Sequence, residues 1–136
     1  MRQALIDTSA IYSLVVRADK NHVAARELLK TWLKQKNAFV LADVVFIESM
    51  TLLKSRFGSD VALKVGRELR ANPVYLWTAL GADGERETWE TFQKYADKDW
   101  SYTDCALLAL SQRFKTNDVF SFDSHFDQMS LVKRIP

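Results

Sequence analysis

The sequence is poor in the residues that mark disulfide scaffolds and flexible linkers: its 136 residues include one cysteine, four glycines and two prolines. The single cysteine, Cys105, excludes an internal disulfide bond, and a chain of this length buries an adequate core without one. No apolar run is long enough to cross a bilayer, and Asp7 interrupts the apolar stretch at residues 4–16, where a signal peptide would be uninterrupted. We therefore expect one cytoplasmic domain over residues 1–136, without a membrane partner.

A strong excess of one charge is also missing. Lysine and arginine number 19 and aspartate and glutamate 17, which gives a formal net charge of +2. This is far from the basic excess of proteins that grip duplex DNA through charge alone. The balance permits an RNA partner without requiring one.

Short apolar runs alternate with stretches of helical periodicity along the chain. The runs predict strands at residues 4–6, 39–42, 74–77 and 119–122, and a last edge strand at 131–135. The periodic stretches predict helices at about 9–16, 21–33, 43–58, 59–71 and 101–114, and one more that carries Trp89, Phe92 and Tyr95 after a turn at 81–84. Strands separated by helices need crossover connections. The pattern predicts a three-layer α/β/α domain with a central, mostly parallel sheet of four or five strands.

Two carboxylates fall at the carboxyl ends of predicted strands, which is where open α/β sheets bind their ligands. Asp7 ends the first strand and Asp123 ends the fourth. If these strands are neighbours, both side chains enter the same crevice. Each residue also has an ordinary structural role open to it, because Asp7 could cap the following helix and Asp123 could be a turn residue.

Two further acids lie near the starts of predicted helices, Glu48 one turn into its helix and Asp104 in the first turn. Glu48 interrupts a largely apolar helical face, and a carboxylate on a core-facing surface needs a partner; the alternative is a rotated helix that leaves Glu48 exposed. Asp104 ends Ser101-Tyr102-Thr103-Asp104, a capping-box pattern before an apolar run. A cap and a site residue are compatible roles here, because the first turn of this helix also lies near the strand ends.

Four carboxylates in one crevice repel each other and call for a cation. Oxygen ligands without a cysteine pair or spaced histidines suit Mg²⁺ or Mn²⁺ rather than zinc. Such an ion activates water against a phosphodiester. Nearby hydroxyl groups could orient its bound waters, and they belong to Thr8, Ser9, Ser101, Thr103 and Ser121.

With these residues the chain resembles a known family, the PIN-domain nucleases, and is most similar to the VapC toxins of toxin–antitoxin pairs. The resemblance rests on Leu5-Ile6-Asp7-Thr8-Ser9, on Glu48, on Trp100-Ser101-Tyr102-Thr103-Asp104-Cys105 and on Ser121-Phe122-Asp123-Ser124-His125-Phe126. It covers the whole chain, and the order and placement of the short motifs carry it.

The resemblance implies an endoribonuclease that uses Mg²⁺ or Mn²⁺ and leaves a 5′-phosphate and a 3′-hydroxyl. Its principal metal ligands would be Asp7, Glu48 and Asp104, and Asp123 or the nearby Asp99 would complete the site. It also implies a homodimer, an antitoxin that reaches the active site, and tRNA or rRNA as substrate, so that cleavage stops translation.

Other functions remain open at this stage. A non-catalytic interaction module on the same fold would use the acids as caps and ion pairs, and a PIN-domain nuclease could process RNA outside a toxin–antitoxin pair. A phosphatase or receiver-type domain is disfavoured, because a haloacid-dehalogenase-like phosphatase needs a second aspartate where Ser9 stands.

Several basic and aromatic residues have both a functional and a structural interpretation. The cations at Lys54, Arg56, Lys64, Arg67 and Arg70 could contact RNA phosphates, although a solvated helix face is the favoured interpretation. Core or interface positions are favoured for Trp32, Trp77 and Trp89, whereas Trp100, beside the predicted site, is the candidate for stacking on a base. We predict a buried structural role for Cys105 and surface positions for His22 and His125.

Overall fold

The structure, a computed structural model, describes residues 1–136. Five strands form one sheet: β1 (Gln3–Ile6), β2 (Ala38–Ala42), β3 (Tyr75–Thr78), β4 (Asp118–Phe120) and β5 (Lys133–Ile135). Six helices surround it: α1 (Thr8–Val15), α2 (His22–Lys34), α3 (Asp43–Phe57), α4 (Ser59–Ala71), α5 (Gly81–Lys94) and α6 (Tyr102–Phe114). A short 3₁₀ helix, Ser124–Gln128, follows β4. No helix combines the length and the apolar character needed to span a bilayer.

The sheet has the strand order β3-β2-β1-β4-β5, and every pair in it is parallel. Helix α1 packs on α2 and α3, α3 packs on α4, and α5 packs on α6. The predicted three-layer α/β fold is confirmed, with five strands. The chain leaves β1 for β2 on one side and returns to β4 on the other, so a crevice opens between the carboxyl ends of β1 and β4.

The position of β1 and β2 inside the sheet explains why their sequences are uninterruptedly apolar. All five residues of β2 are buried, and so are the last three of β1, because helices cover both faces of a parallel sheet. The predicted core position of Trp32 is confirmed: its ring stacks on Phe39 at 5.3 Å between centroids, and its Nε1 donates to the carbonyl oxygen of Ala38 at 2.9 Å.

Two other tryptophans do not lie in the core, because Trp77 is 46% exposed and Trp89 is 52% exposed; for them the interface position stays a prediction. Strand β3 lies at the edge of the sheet and has a neighbour on one side only, so Trp77 packs against Phe46 while one face stays open. Trp89 lies on the outer side of α5, where its ring stacks on Phe92.

The predicted turn at residues 81–84 is the first turn of α5. Gly84 is buried there, and a Cβ at this position would lie 3.2 Å from Leu80 Cβ. Gly84 therefore allows close packing within the helix, although a glycine at this place in the sequence is an ordinary signal for a turn. The last strand also begins later than predicted, at Lys133.

Candidate active site

Asp7 follows β1 directly and is 4% exposed. Its Oδ2 accepts hydrogen bonds from Ser9 Oγ at 2.8 Å and from Ser121 Oγ at 2.9 Å. The same hydroxyls accept backbone N–H groups from the segment after β4: Phe122 N donates to Ser9 Oγ and Asp123 N donates to Ser121 Oγ. The carboxylate is therefore fixed in one orientation, and the two strand ends are joined through it.

The surroundings of Asp7 disfavour its charged form. Burial raises its pKa from 3.8 to about 6, the hydroxyls of Ser9 and Ser121 oppose this increase, and the charge of Asp104 adds to it. The contribution from Asp104 indicates that the two carboxylates lie close enough to repel each other. A cation placed between them would offset both the desolvation and the repulsion.

Asp104 has two roles, because it caps α6 and faces the crevice. Its backbone N–H donates to Ser101 Oγ at 3.0 Å, and its Oδ2 accepts from Ser101 N at 2.9 Å, so the predicted capping box is confirmed. The same Oδ2 accepts from His125 Nδ1 at 2.9 Å. Burial raises the pKa of Asp104 above its ordinary value, and the bonds from Ser101 and His125 oppose this increase.

His125 is not a simple surface residue, which corrects the prediction made for it. Its Nδ1 lies 2.9 Å from Asp104 Oδ2 and 3.3 Å from Asp123 Oδ1. The hydrogen bond to Asp104 raises the pKa of His125, and the charges of Asp123, Asp104 and Asp99 add to the increase. One ligand atom from each of Asp104, Asp123 and His125 lies within 4.8 Å of the others. The only signal for this in the sequence was the two-residue spacing from Asp123.

Glu48 is exposed, so the prediction of a buried, core-facing carboxylate is wrong and the rotated-helix alternative holds. The inward face of α3 is formed instead by Val45, Ser49 and Leu53. Glu48 nevertheless lies beside the N-terminus of α6, because its Oε2 accepts a hydrogen bond from Thr103 Oγ1 at 2.8 Å. Thr103 precedes Asp104, so Glu48 and Asp104 lie on the same side of the molecule.

The sequence profile of the PIN domain matches residues 4–131. The chain belongs to the PIN-domain family. Among its relatives is the 23S rRNA-specific endonuclease VapC20 of Mycobacterium tuberculosis, 24% identical over 131 residues that cover 96% of this chain and 97% of the relative. Ribonuclease VapC26 of the same organism is 29% identical over 126 residues, which cover 92% of this chain and 90% of that protein.

Solved structures of toxins share the fold of this PIN domain. The crystal structure of Mycobacterium tuberculosis VapC20, described as a Sarcin-Ricin loop cleaving toxin, superposes with a TM-score of 0.84 at 23% identity, over 95% of this chain and 96% of that one. A toxin–antitoxin complex from Klebsiella pneumoniae gives a TM-score of 0.66 at 17% identity, over 96% of this chain and 95% of that one. At these identities the likeness establishes the fold.

The hydroxyl groups around the crevice of this PIN domain have different environments. The hydroxyls of Ser9 and Ser121 hold Asp7, that of Ser101 caps α6 and that of Thr103 holds Glu48. Thr8 Oγ1 is the exception, because it is buried and has no hydrogen-bond partner. A buried hydroxyl of this kind is expected to have a partner, and a water bound to a cation beside Asp7 would supply one.

Two neighbours of the carboxylates, Trp100 and Cys105, are buried. Trp100 is 6% exposed and its Nε1 donates to Gln128 Oε1 at 3.0 Å, so its ring is not available to stack on a base, contrary to the prediction. Cys105 is buried as predicted, and burial raises the pKa of its thiol to about 11. A thiol in that state is a poor nucleophile.

The cations predicted as candidate phosphate contacts do not form one patch. Lys64, Arg67 and Arg70 are exposed on α4, and the Arg70 guanidinium lies over the ring of Trp77 at 4.9 Å. Arg56, at the end of α3, instead lies over the ring of Tyr12 on α1. The two groups therefore lie on different sides of α3.

Proposed function

We propose that this PIN domain is a Mg²⁺- or Mn²⁺-dependent endoribonuclease and the toxin of a toxin–antitoxin pair. The observation that carries the proposal is the cluster of Asp104, Asp123 and His125, whose ligand atoms lie within 4.8 Å of one another. The buried Asp7 at the end of β1 lies close enough to feel the charge of Asp104, and Glu48 binds Thr103 at the N-terminus of α6. Relatives named as a ribonuclease and an rRNA endonuclease support RNA as the substrate.

The residues present fit a divalent cation. Asp7, Glu48, Asp104 and Asp123 would hold it, and their oxygen donors are those that Mg²⁺ and Mn²⁺ prefer. When bound, the ion would activate water and neutralise charge on the scissile phosphate. Asp123 is favoured over Asp99 as the fourth ligand, because it shares His125 with Asp104 whereas the side chain of Asp99 is exposed.

The protein groups around the reaction centre supply orientation. Ser9 and Ser121 fix the Asp7 carboxylate, and the capping box fixes Asp104 at the start of α6. His125 donates a hydrogen bond to Asp104 and lies 3.3 Å from Asp123, so it limits the repulsion between these two carboxylates when no cation is bound. Hydrolysis in this site would leave a 5′-phosphate and a 3′-hydroxyl, as the PIN-domain resemblance implies.

The decisive experiment is RNA cleavage by the purified protein. We expect cleavage in Mg²⁺ or Mn²⁺, none in EDTA, and loss in Asp7→Asn and Asp104→Asn. Asp60→Asn, an exposed acid on α4, is the matched control and should cut at the parental rate. Ribosomal RNA is the first substrate to test and tRNA the second. If the folded protein shows neither cleavage nor a metal-dependent rise in melting temperature, the alternative of a non-catalytic interaction module gains support.

The proposal includes an antitoxin partner, supported by the toxin–antitoxin complex among the structural neighbours. A groove of about 780 Å³ lies between α1, α2 and α4. Its floor is apolar and its rim carries Arg17, Arg26 and Lys64 against one acid, Glu68, which suits an acidic segment with apolar side chains. Val65→Asp, in this groove, should weaken capture of a small protein encoded beside this gene, whereas Val23→Asp, outside the groove, should not.

The proposal also includes a homodimer. Exposed apolar side chains support it: Ile47 on α3 is 62% exposed, Leu63 on α4 is 53% exposed and Trp77 on β3 is 46% exposed. Contiguous exposed apolar surface is typical of interaction sites. Light scattering after gel filtration should give twice the mass of the 15.6 kDa chain, and Leu63→Glu should shift the mass toward the monomer.

A further inference from the structure

A small, open pocket adjoins the carboxylate cluster on the side of α1 and α3. It encloses about 300 Å³ and is lined by Ser9, Tyr12, Asp19, Arg56 and Phe122, among others. Ser9 belongs to the cluster as well, because its hydroxyl donates to Asp7. A chain of RNA with one phosphate at the carboxylates would therefore pass this pocket.

Arg56 is held in the pocket by uncharged groups only. Its guanidinium lies 5.5 Å from the centroid of the Tyr12 ring, and its Nη1 donates to Tyr12 Oη at 3.1 Å. Other arginines with short polar contacts to side chains have acidic partners: Arg2 pairs with Asp118, Arg86 with Asp83, Arg113 with Glu87 and Arg134 with Asp127. Arg56 thus keeps its full charge and most of its N–H donors for another partner.

The acid in this pocket does not neutralise Arg56. Asp19 is the one acidic lining residue, and its Oδ2 accepts from Ser13 Oγ at 2.8 Å and from Asn21 N at 3.0 Å. No oxygen of Asp19 lies within ion-pair distance of Arg56. The pocket therefore presents an exposed, unpaired guanidinium, oriented by Tyr12, on the side of Ser9 and the negative side chains.

We propose that Arg56, oriented by Tyr12, binds an RNA phosphate next to the one that enters the carboxylate cluster. This inference rests on the proposed function. Four acids repel the RNA backbone, and phosphate contacts by cations supply most of the affinity of proteins for nucleic acids. A guanidinium fits a phosphate through two parallel hydrogen bonds, and the contact to Tyr12 aligns it before RNA arrives.

The test compares Arg56→Gln with Arg67→Gln, which removes the same charge from an exposed arginine on α4. Binding of a fluorescein-labelled 12-nucleotide single-stranded RNA is measured by anisotropy in EDTA over a series of salt concentrations. Steady-state cleavage of the same RNA is measured in Mn²⁺. Tyr12→Phe keeps the ring and removes the hydroxyl, and Arg56→Lys keeps the charge without the planar fork.

We expect Arg56→Gln to weaken binding about fivefold and to lower the slope of log affinity against log salt by about 0.7, the value for one phosphate on a single strand. The KM should rise while kcat stays within twofold. Tyr12→Phe and Arg56→Lys should lie between Arg56→Gln and the wild type. Equal effects of Arg56→Gln and Arg67→Gln, or no effect of Tyr12→Phe, would overturn the inference.

The outcome separates this inference from the proposed function. RNA binding that depends on Arg56 without any cleavage in Mn²⁺ would support the phosphate subsite and contradict the nuclease. Metal-dependent cleavage that is indifferent to Arg56 would support the nuclease and remove the subsite.

Discussion

Replacing Asp7 with asparagine is expected to stabilise the metal-free protein while it abolishes activity. Burial raises the pKa of Asp7 from 3.8 to about 6, so the folded protein holds this proton more tightly than the unfolded chain does. Two pKa units correspond to about 3 kcal/mol. Asparagine has nearly the same shape, keeps an oxygen to accept from Ser9 and Ser121, and carries no charge.

The sign of the effect depends on pH. The stability that comes from neutral Asp7 is fully present below pH 3.8 and is lost as pH rises through about 6. Asp7→Asn should therefore match the wild type near pH 4 and exceed it above pH 6.5 by up to about 3 kcal/mol, or roughly 10 °C in melting temperature.

The assay is urea and thermal unfolding in EDTA at several pH values, with Asp60→Asn as the exposed control. Adding Mn²⁺ should stabilise only the wild type, by about 2.7 kcal/mol at a hundred times its dissociation constant and about 4.1 kcal/mol at a thousand times. The difference should therefore nearly vanish at the lower concentration and change sign at the higher one. Lower stability of Asp7→Asn than of the wild type at pH 7.5 in EDTA, or a difference that does not change with pH, would refute the reasoning.

Three other substitutions test separate parts of the structure. His125→Asn should be less stable than the wild type at pH 5.5 and equally stable well above neutral pH. The reason is that the pKa of His125 is raised in the folded protein, so its protonation stabilises the fold below pH 6.5 and this contribution is lost as pH rises through the folded pKa. Denaturant titrations at both pH values measure the difference. Thr103→Val removes the donor to Glu48 and should weaken Mn²⁺ binding about tenfold with little change in melting temperature, whereas Thr91→Val, on α5, should leave the metal affinity unchanged in calorimetry. Trp32→Ala should cost about 3–5 kcal/mol in urea unfolding, and a loss below 1 kcal/mol would contradict the proposed stack on Phe39.

Sequence alone was sufficient where the relevant physics is local. Asp7 was found because the end of an apolar run marks the end of a strand, and the end of a parallel strand faces the ligand side of the sheet. Asp104 was found because a capping box is a pattern within four residues. The structure retains both features because each depends mainly on residues that are near in the sequence.

Sequence failed where a neighbour from a distant part of the chain decides the outcome. The periodicity of α3 predicts a buried Glu48, but the rotation of this helix is set by Val45 and Leu53, which are among its buried residues. His125 was assigned to the surface because its partner, Asp104, is 21 residues away and approaches only through the 3₁₀ helix after β4. The exposure of Trp77 follows from the edge position of β3, which a strand pattern does not reveal.

Asp104 Oδ2 accepts the hydrogen bond from Ser101 N that caps α6, and it also binds His125 Nδ1. A substitution of Asp104 therefore disturbs the helix and the candidate site together. A loss of RNA cleavage after changing Asp104 would therefore have two explanations, one structural and one chemical. Asp7 makes no helix-capping bond, and an asparagine in its place keeps an oxygen to accept hydrogen bonds from the hydroxyls that join the two strand ends. An inactive variant for trapping RNA is therefore better made at position 7.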